Sequence, residues 1–196
     1  MKERCSWPGD DPLYVAYHDT EWGVPIYDGR ELFEKLILDG FQAGLSWITI
    51  LRKRETFLSA FDNFDPEIIA QYDDQDIERL MKDTGIIRNR LKIVSTVTNA
   101  KVYLEIEKKK GGFSDFIWSF TDGKIIHNQW QNMNQIPTAT AESEAMSKAL
   151  KKKGFKFCGP TICYAFMQAV GIVNDHFIHC YRHVDLTFPQ ALKNQK

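Results

Sequence analysis

The chain has no apolar stretch approaching the roughly 18 residues that a membrane-crossing helix needs. Its charged start, Met-Lys-Glu-Arg, carries no apolar segment of the kind that directs secretion. The expectation is a cytoplasmic protein. Cysteine is scarce, with four residues at 5, 158, 163 and 180, which excludes a disulfide scaffold and leaves free thiols or metal ligands in a reducing compartment. Net charge is nearly absent, 25 Lys plus Arg against 26 Asp plus Glu, so the chain does not coat nucleic acid by bulk charge; local basic patches remain available. No His-Glu-x-x-His is present, so the usual mark of a zinc hydrolase is missing. Repeats, low-complexity segments and convincing alternating strands are missing too.

What is there, 43% apolar residues in 196, is ample for one globular unit over 1–185, with two lobes as the most it could divide into; 186–196 reads as a frayed tail. The periodicity predicts an all-α fold of many short helices. Asp28 caps a helix with Leu32, Phe33, Leu36 and Ile37 inward and Gly40 at its end, which puts Asp39 where the helix dipole disfavours a carboxylate. Ser46 is read as the cap of one further helix carrying Trp47, Ile50, Leu51, Leu58 and Phe61. A longer helix is expected over roughly 88 to 109, and a loop over 122–140. Residues 141–152 and 160–170 form two helices joined by a glycine-bracketed hairpin, with Gly154 suited to a helix C-terminus and Pro160 to a first helical position. Outward N–H groups there, with Lys151, Lys152, Lys153 and Lys156, suit a phosphate.

His176 and Cys180, spaced i, i+4, point the same way on a helical turn, and Cys5 and His18 lie near the other end of the chain. Two cysteines and two histidines suit tetrahedral zinc, and four protein ligands would leave no open position, so such a metal is structural. The same residues also read as small core thiols and hydrogen-bonded histidines, and His179 and His183 compete as ligands.

Three motifs carry a resemblance: Tyr17-His-Asp-Thr-Glu-Trp-Gly-Val-Pro, Gln42-Ala-Gly-Leu-Ser-Trp-Ile-Thr and Ala149-Leu-Lys-Lys-Lys-Gly-Phe-Lys-Phe-Cys-Gly-Pro-Thr. In this order, and spanning Cys5 to about Cys180, they resemble the 3-methyladenine DNA glycosylase I family. The resemblance implies a helix-hairpin-helix glycosylase fold, a structural Zn2+ on Cys5, His18, His176 and Cys180, no organic cofactor, and excision of 3-methyladenine from double-stranded alkylated DNA by a monomer that leaves an abasic site. It points to Trp7, Tyr14, Tyr17, Trp22 and Trp47 as pocket walls, although Trp22 is read rather as a core aromatic, since the motif alone singles it out. It also points to Asp39 as the group that contacts the base, and here the chain departs from the family, which carries glutamate. Aspartate keeps the charge but is shorter by about 1.5 Å.

Gly44 and Leu45 are wedge candidates in the duplex gap, with inward packing of Leu45 as the alternative. Arg88, Arg90, Lys153, Gly154, Lys156 and Gly159 are candidates for DNA backbone contact, and Lys108 to Lys110 read as a solvated face. Asp175 is read as support near the metal ligands. The rival reading is a zinc-stapled module that binds damage without cleaving.

Overall fold

A computed structural model describes residues 2–188. In chain order its helices are α1 (Pro12–Thr20), α2 (Gly29–Gln42), α3 (Trp47–Leu51), α4 (Arg54–Ala60), α5 (Pro66–Ile69), α6 (Asp74–Lys82), α7 (Arg90–Glu107), α8 (Gly112–Trp118), α9 (Ala141–Lys153), α10 (Pro160–Ala169) and α11 (Tyr181–Thr187). Side-chain acceptors set several starts. Asp11 takes the N–H groups of Leu13 and Tyr14 ahead of α1, and Asp28 those of Arg30 and Glu31 ahead of α2. Reciprocal boxes, Asp73 with Asp76 and Thr140 with Ser143, open α6 and α9.

α2 is the hub. Leu32, Phe33, Leu36, Ile37, Leu38 and Phe41 are all buried, and the helix packs against α3, α7, α8 and α10. It does not stop at Gly40 as expected but runs to Gln42, because glycine is needed here for close approach. A Cβ on Gly40 would meet Phe157 Cβ at 3.3 Å, so its absence lets the α9–α10 hairpin seat against α2. Asp39 therefore lies in the last helical turn.

The hairpin forms as the sequence predicts. Gly154 ends α9 in the left-handed region at φ 109°, its N–H bonding to the Leu150 and Lys151 carbonyls, and Pro160 opens α10. One face of α7 holds two loops. Lys92 Nζ donates to the carbonyls of Phe41 (2.8 Å) and Ala43 (2.7 Å) at the end of α2. Two turns on, Asn99 bonds both the N–H and the carbonyl of Lys156 in the hairpin.

Three expectations are corrected. The single helix after Ser46 is two, broken at Arg52–Lys53, where Lys53 Nζ reaches the Thr84 and Gly85 carbonyls; Ser46 itself bonds Thr49 Oγ1 rather than a backbone N–H. Within 122–140, the short strand β1 (Ile126–His127) pairs in parallel with β2 (Val173–Asn174), each too brief for a two-residue period to register. Leu186 and Thr187 are not tail but complete α11, and Thr187 Oγ1 accepts from Asn174 Nδ2 at 3.2 Å; residues 189–196 lie outside the described residues.

Gly171, at φ 71° between α10 and β2, passes directly against the chain at Val24–Pro25: a Cβ there would fall 2.5 Å from Val24 C and Pro25 N. Gly171→Ala should cost about 2 kcal/mol or more, lowering Tm by roughly 4–8 °C in thermal unfolding. An unchanged Tm would contradict this packing.

Candidate active site

A cavity of about 400 Å³ opens between the aromatic residues of the N-terminal region and α10. Trp7, Tyr14, Tyr17, Trp22 and Trp47 form one side; Met133, Ile136, Pro137, Tyr164 and Gln168 form the other, and Asp39 lines it from the last turn of α2. The structure thus gathers every expected wall residue and Asp39 around one space. Trp22 belongs both to the wall and to the core, its ring meeting His176 edge-on at 4.6 Å. Tyr17 and Trp47 tilt together at 5.5 Å, and Trp7 meets Tyr14 edge-on at 4.8 Å.

Among the described residues, the buried side-chain polar atoms without a hydrogen-bond partner are Trp7 Nε1, Asp39 Oδ2, Trp47 Nε1 and Arg182 Nε. Three of these belong to this cavity. Folded proteins leave few such atoms, and here two donors and one acceptor without partners are concentrated around one cavity. Burial pushes the Asp39 carboxyl up to about 7, against the opposing pull of the Lys35 ammonium one turn earlier. Tyr17 is pushed up by burial and by the negative charge of Asp39, so its hydroxyl keeps its proton.

The far wall is held by Asp175, which is 1% exposed. Its Oδ1 accepts from Asn128 Nδ2 (2.6 Å) and Trp130 Nε1 (2.9 Å), and its Oδ2 from Tyr164 OH (2.6 Å) and Gln168 Nε2 (2.8 Å). Sequence reasoning placed Asp175 beside the metal ligands but missed this role, and it missed Tyr164, Gln168 and the 133–138 segment as pocket wall. Tyr164 and Gln168 share a helical face at i, i+4, but a polar pair on a helix has many other uses.

The four metal candidates converge. Their ligand atoms all lie within 4.8 Å of one another, and all four residues are buried. His176 Nδ1 is 3.2 Å from His18 Nε2, 3.7 Å from Cys5 Sγ and 3.6 Å from Cys180 Sγ; Cys180 Sγ is 3.5 Å from His18 Nε2. A tetrahedron built on zinc bond lengths has edges of about 3.3 Å for N–N, 3.6 Å for N–S and 3.8 Å for S–S. One imidazole nitrogen, with a single proton or lone pair, cannot bond three partners at once, whereas a cation at their centre satisfies all. The outer nitrogens are committed: His18 Nδ1 lies 2.8 Å from Asp19 Oδ1, and His176 Nε2 lies 3.0 Å from the Trp22 carbonyl. Asp19 is in turn held by Arg4. Contrary to expectation, His176 and Cys180 sit on a turn before α11 rather than on a helix, and Cys180 is that helix's N-cap residue.

The expected DNA contacts are spread over two loops and a helix start. Gly44, at φ 82° with open space where a Cβ would be, and Leu45, 42% exposed, occupy the loop after α2 that Lys92 anchors. Lys153, Lys156 and Arg88 are exposed, Gly154 and Gly159 half-buried, and Gly159 has open space around it. Arg90 is paired with Glu78, so its charge is already engaged. Lys109 reaches Lys153 closely enough to lower the latter's proton affinity, so the 108–110 turn adjoins the hairpin.

The profile of the methyladenine glycosylase family matches residues 7–183. The chain belongs to this family. It is 53% identical over 178 residues to DNA-3-methyladenine glycosylase 1 of Escherichia coli (strain K12), covering 91% of this chain and 95% of that protein. A crystal structure of 3-methyladenine DNA glycosylase I superposes with a TM-score of 0.90 at 54% identity, covering 91% of this chain and 98% of the other. A Tyr-to-Phe variant of such an enzyme, solved in complex with 3-methyladenine, superposes at 0.87 with 40% identity, covering 91% and 96%.

Because all four hydrogen bonds at Asp175 are donated to it, replacing one oxygen by an amide sets donor against donor. Asp175→Asn should destabilise by about 2–3 kcal/mol in urea unfolding, and equal stability would show that the network holds nothing.

Proposed function

We propose that this chain is a monofunctional glycosylase that hydrolyses the N-glycosidic bond of 3-methyladenine in alkylated double-stranded DNA and leaves an abasic site. The observation that carries this reading is the buried, unpartnered carboxylate of Asp39 in a cavity of aromatic rings. Methylation at N3 places positive charge on adenine and makes it a ready leaving group, so the site needs little acid catalysis. It must take the base out of the duplex, stack it and read its edge. Trp47 and Tyr17 supply ring faces, Trp7 and Tyr14 close the box, Asp39 accepts from the exocyclic amine and favours the cationic form, and the two free indole N–H groups offer donors to ring nitrogens. The charge that leaves the base appears on the sugar as water attacks.

Asp175 does not activate that water, since donors from four side chains already occupy its two oxygens. Lysine does not line the cavity, which fits hydrolysis rather than Schiff-base chemistry. Gly44 and Leu45 fill the gap left by the base, while the hairpin at Gly154, Lys156 and Gly159, with Lys153 and Arg88, holds phosphates without reading sequence. Arg90 contributes only if Glu78 releases it. In the same reading the protein works as a cytoplasmic monomer.

Cys5, His18, His176 and Cys180 hold a structural zinc, whose chemistry is to tie residues 5–18 to residues 176–180 with no open coordination position. One zinc per chain should be found by atomic absorption. Its removal by a chelator should lower Tm, with base release falling only as the protein unfolds; loss of release from a protein still folded would assign the metal to the chemistry.

Asp39→Asn should cut release of 3-methyladenine from methylated duplex by at least tenfold, and Trp47→Ala should cost roughly 10–100-fold, as expected for one base–aromatic stack. If the ionised carboxylate recognises the base, kcat/KM, which reports the free enzyme, rises with pH through about 7. Release undiminished in Asp39→Asn would remove Asp39 from the mechanism and favour another acceptor.

A further inference from the structure

Lys35 is 8% exposed and sits one turn before Asp39 on the same face of α2. It is absent from the residues that line the cavity. Its ammonium instead lies against the walls, 4.6 Å from the Tyr17 ring centroid and 4.4 Å from that of Trp47. The two rings that face the base are thus backed by a buried cation, and the carboxylate beside them keeps one oxygen without a partner. Burial lowers the proton affinity of Lys35, against the opposing pull of the Asp39, Glu21 and Glu34 carboxylates, and the two ring faces stabilise its ammonium.

We propose that Lys35 is a positioning residue: it is the counter-charge that fixes the protonation state of Asp39, and so the pH range over which the pocket accepts a cationic base. This rests on the glycosylase reading for the word base, but the charge coupling itself does not.

The surroundings leave Lys35 as the dominant partner. From α1, Tyr17 faces Asp39 as a neutral phenol whose proton is retained, with Tyr14 beside it. Glu21, which follows α1, is paired with Arg54 of α4, at 3.2 Å in its longer contact, so the two largely offset each other. Glu34 lies on α2 next to Lys35, where its charge acts on the ammonium. From α10, Cys163 is a buried thiol that burial keeps protonated, and Tyr164 is a neutral phenol whose hydroxyl donates a hydrogen bond to Asp175. None of these supplies a net positive charge to Asp39, and the Lys92 ammonium from α7 is engaged by the Phe41 and Ala43 carbonyls rather than by the Asp39 carboxylate. Residues at i, i+4 have Cβ atoms about 5–6 Å apart, and over such distances a cation lowers the pKa of a buried carboxyl by about one to two pH units.

The sign follows directly. A cation favours the ionised carboxylate, so removing it raises the pKa of Asp39 and narrows the active range from the acid side.

The test is the titration of Asp39 by carboxyl-carbon NMR, the resonance assigned through its loss in Asp39→Asn, in the protein and in Lys35→Met. The pH profile of kcat/KM for 3-methyladenine release is measured alongside. Methionine matches the stem of lysine and removes only the charge; Lys35→Gln serves if the methionine variant does not fold. The expected result is an upward shift of about one to two pH units in the Asp39 titration, with the acid limb of kcat/KM moving equally, a loss of roughly five- to fiftyfold at pH 7, and recovery as the pH rises to about 10. An unmoved Asp39 titration overturns the proposal, as does a moved titration with an unmoved acid limb. If no variant releases base at any pH, the glycosylase reading fails, while the NMR titration still decides whether Lys35 sets the charge of Asp39.

Discussion

A carboxylate buried in the last turn of a helix is doubly disfavoured, by loss of water and by the negative end of the helix dipole. Asp39 occupies that position, and much of the molecule is arranged around making it tolerable. Lys92 crosses from α7 to bind the Phe41 and Ala43 carbonyls at the end of α2, placing a cation where the dipole is most negative. Lys35 supplies a second cation from within α2 itself. Neither takes up the free oxygen of Asp39, which is left without a partner at the cavity. A charge satisfied by its own fold would have nothing left for a base.

The opposite wall depends on a different device. Residues 133–138 mix polar with apolar side chains, of which Ile136 packs against the core, and α10 turns Tyr164 and Gln168 to the pocket. Asp175 gathers Asn128 and Trp130 from the connecting segment and Tyr164 and Gln168 from α10 onto one carboxylate. The next residue is His176, where the Cys5, His18, His176 and Cys180 cluster draws both chain ends together. Tying distant segments matters most where the loop closed is longest, and here it spans most of the chain. The cluster and the pocket are neighbours joined through Trp22, whose ring meets His176 and lines the cavity.

The all-α architecture and the hairpin were legible because their signals are local: a cap at Asp28, Gly154 followed by Pro160, a 3.6-residue period in α2. The Cys5, His18, His176 and Cys180 cluster was legible from ligand chemistry together with the family resemblance, though not its backbone setting, since i, i+4 spacing does not distinguish a helix from a compact turn. Asp39, Trp7, Tyr14, Tyr17 and Trp47 were found through family resemblance; periodicity alone makes them core aromatics and a misplaced acid. Gly40 was misread because a glycine near a helix end signals a stop, whereas its true reason, the approach of Phe157, lies 117 residues away. The β1–β2 pair, the break at Arg52–Lys53, Lys35 and the Asp175 network all depend on tertiary neighbours, and no local pattern announces them.

The account stands on Asp39 as the group that reads the base. A crystal structure of this protein with 3-methyladenine bound tests that most directly. The account predicts the base stacked on Trp47 in the cavity, with an Asp39 oxygen within about 3 Å of its exocyclic amine. A base bound there with Asp39 out of reach, bridged by no water, would contradict it and show that the shorter side chain has surrendered the contact.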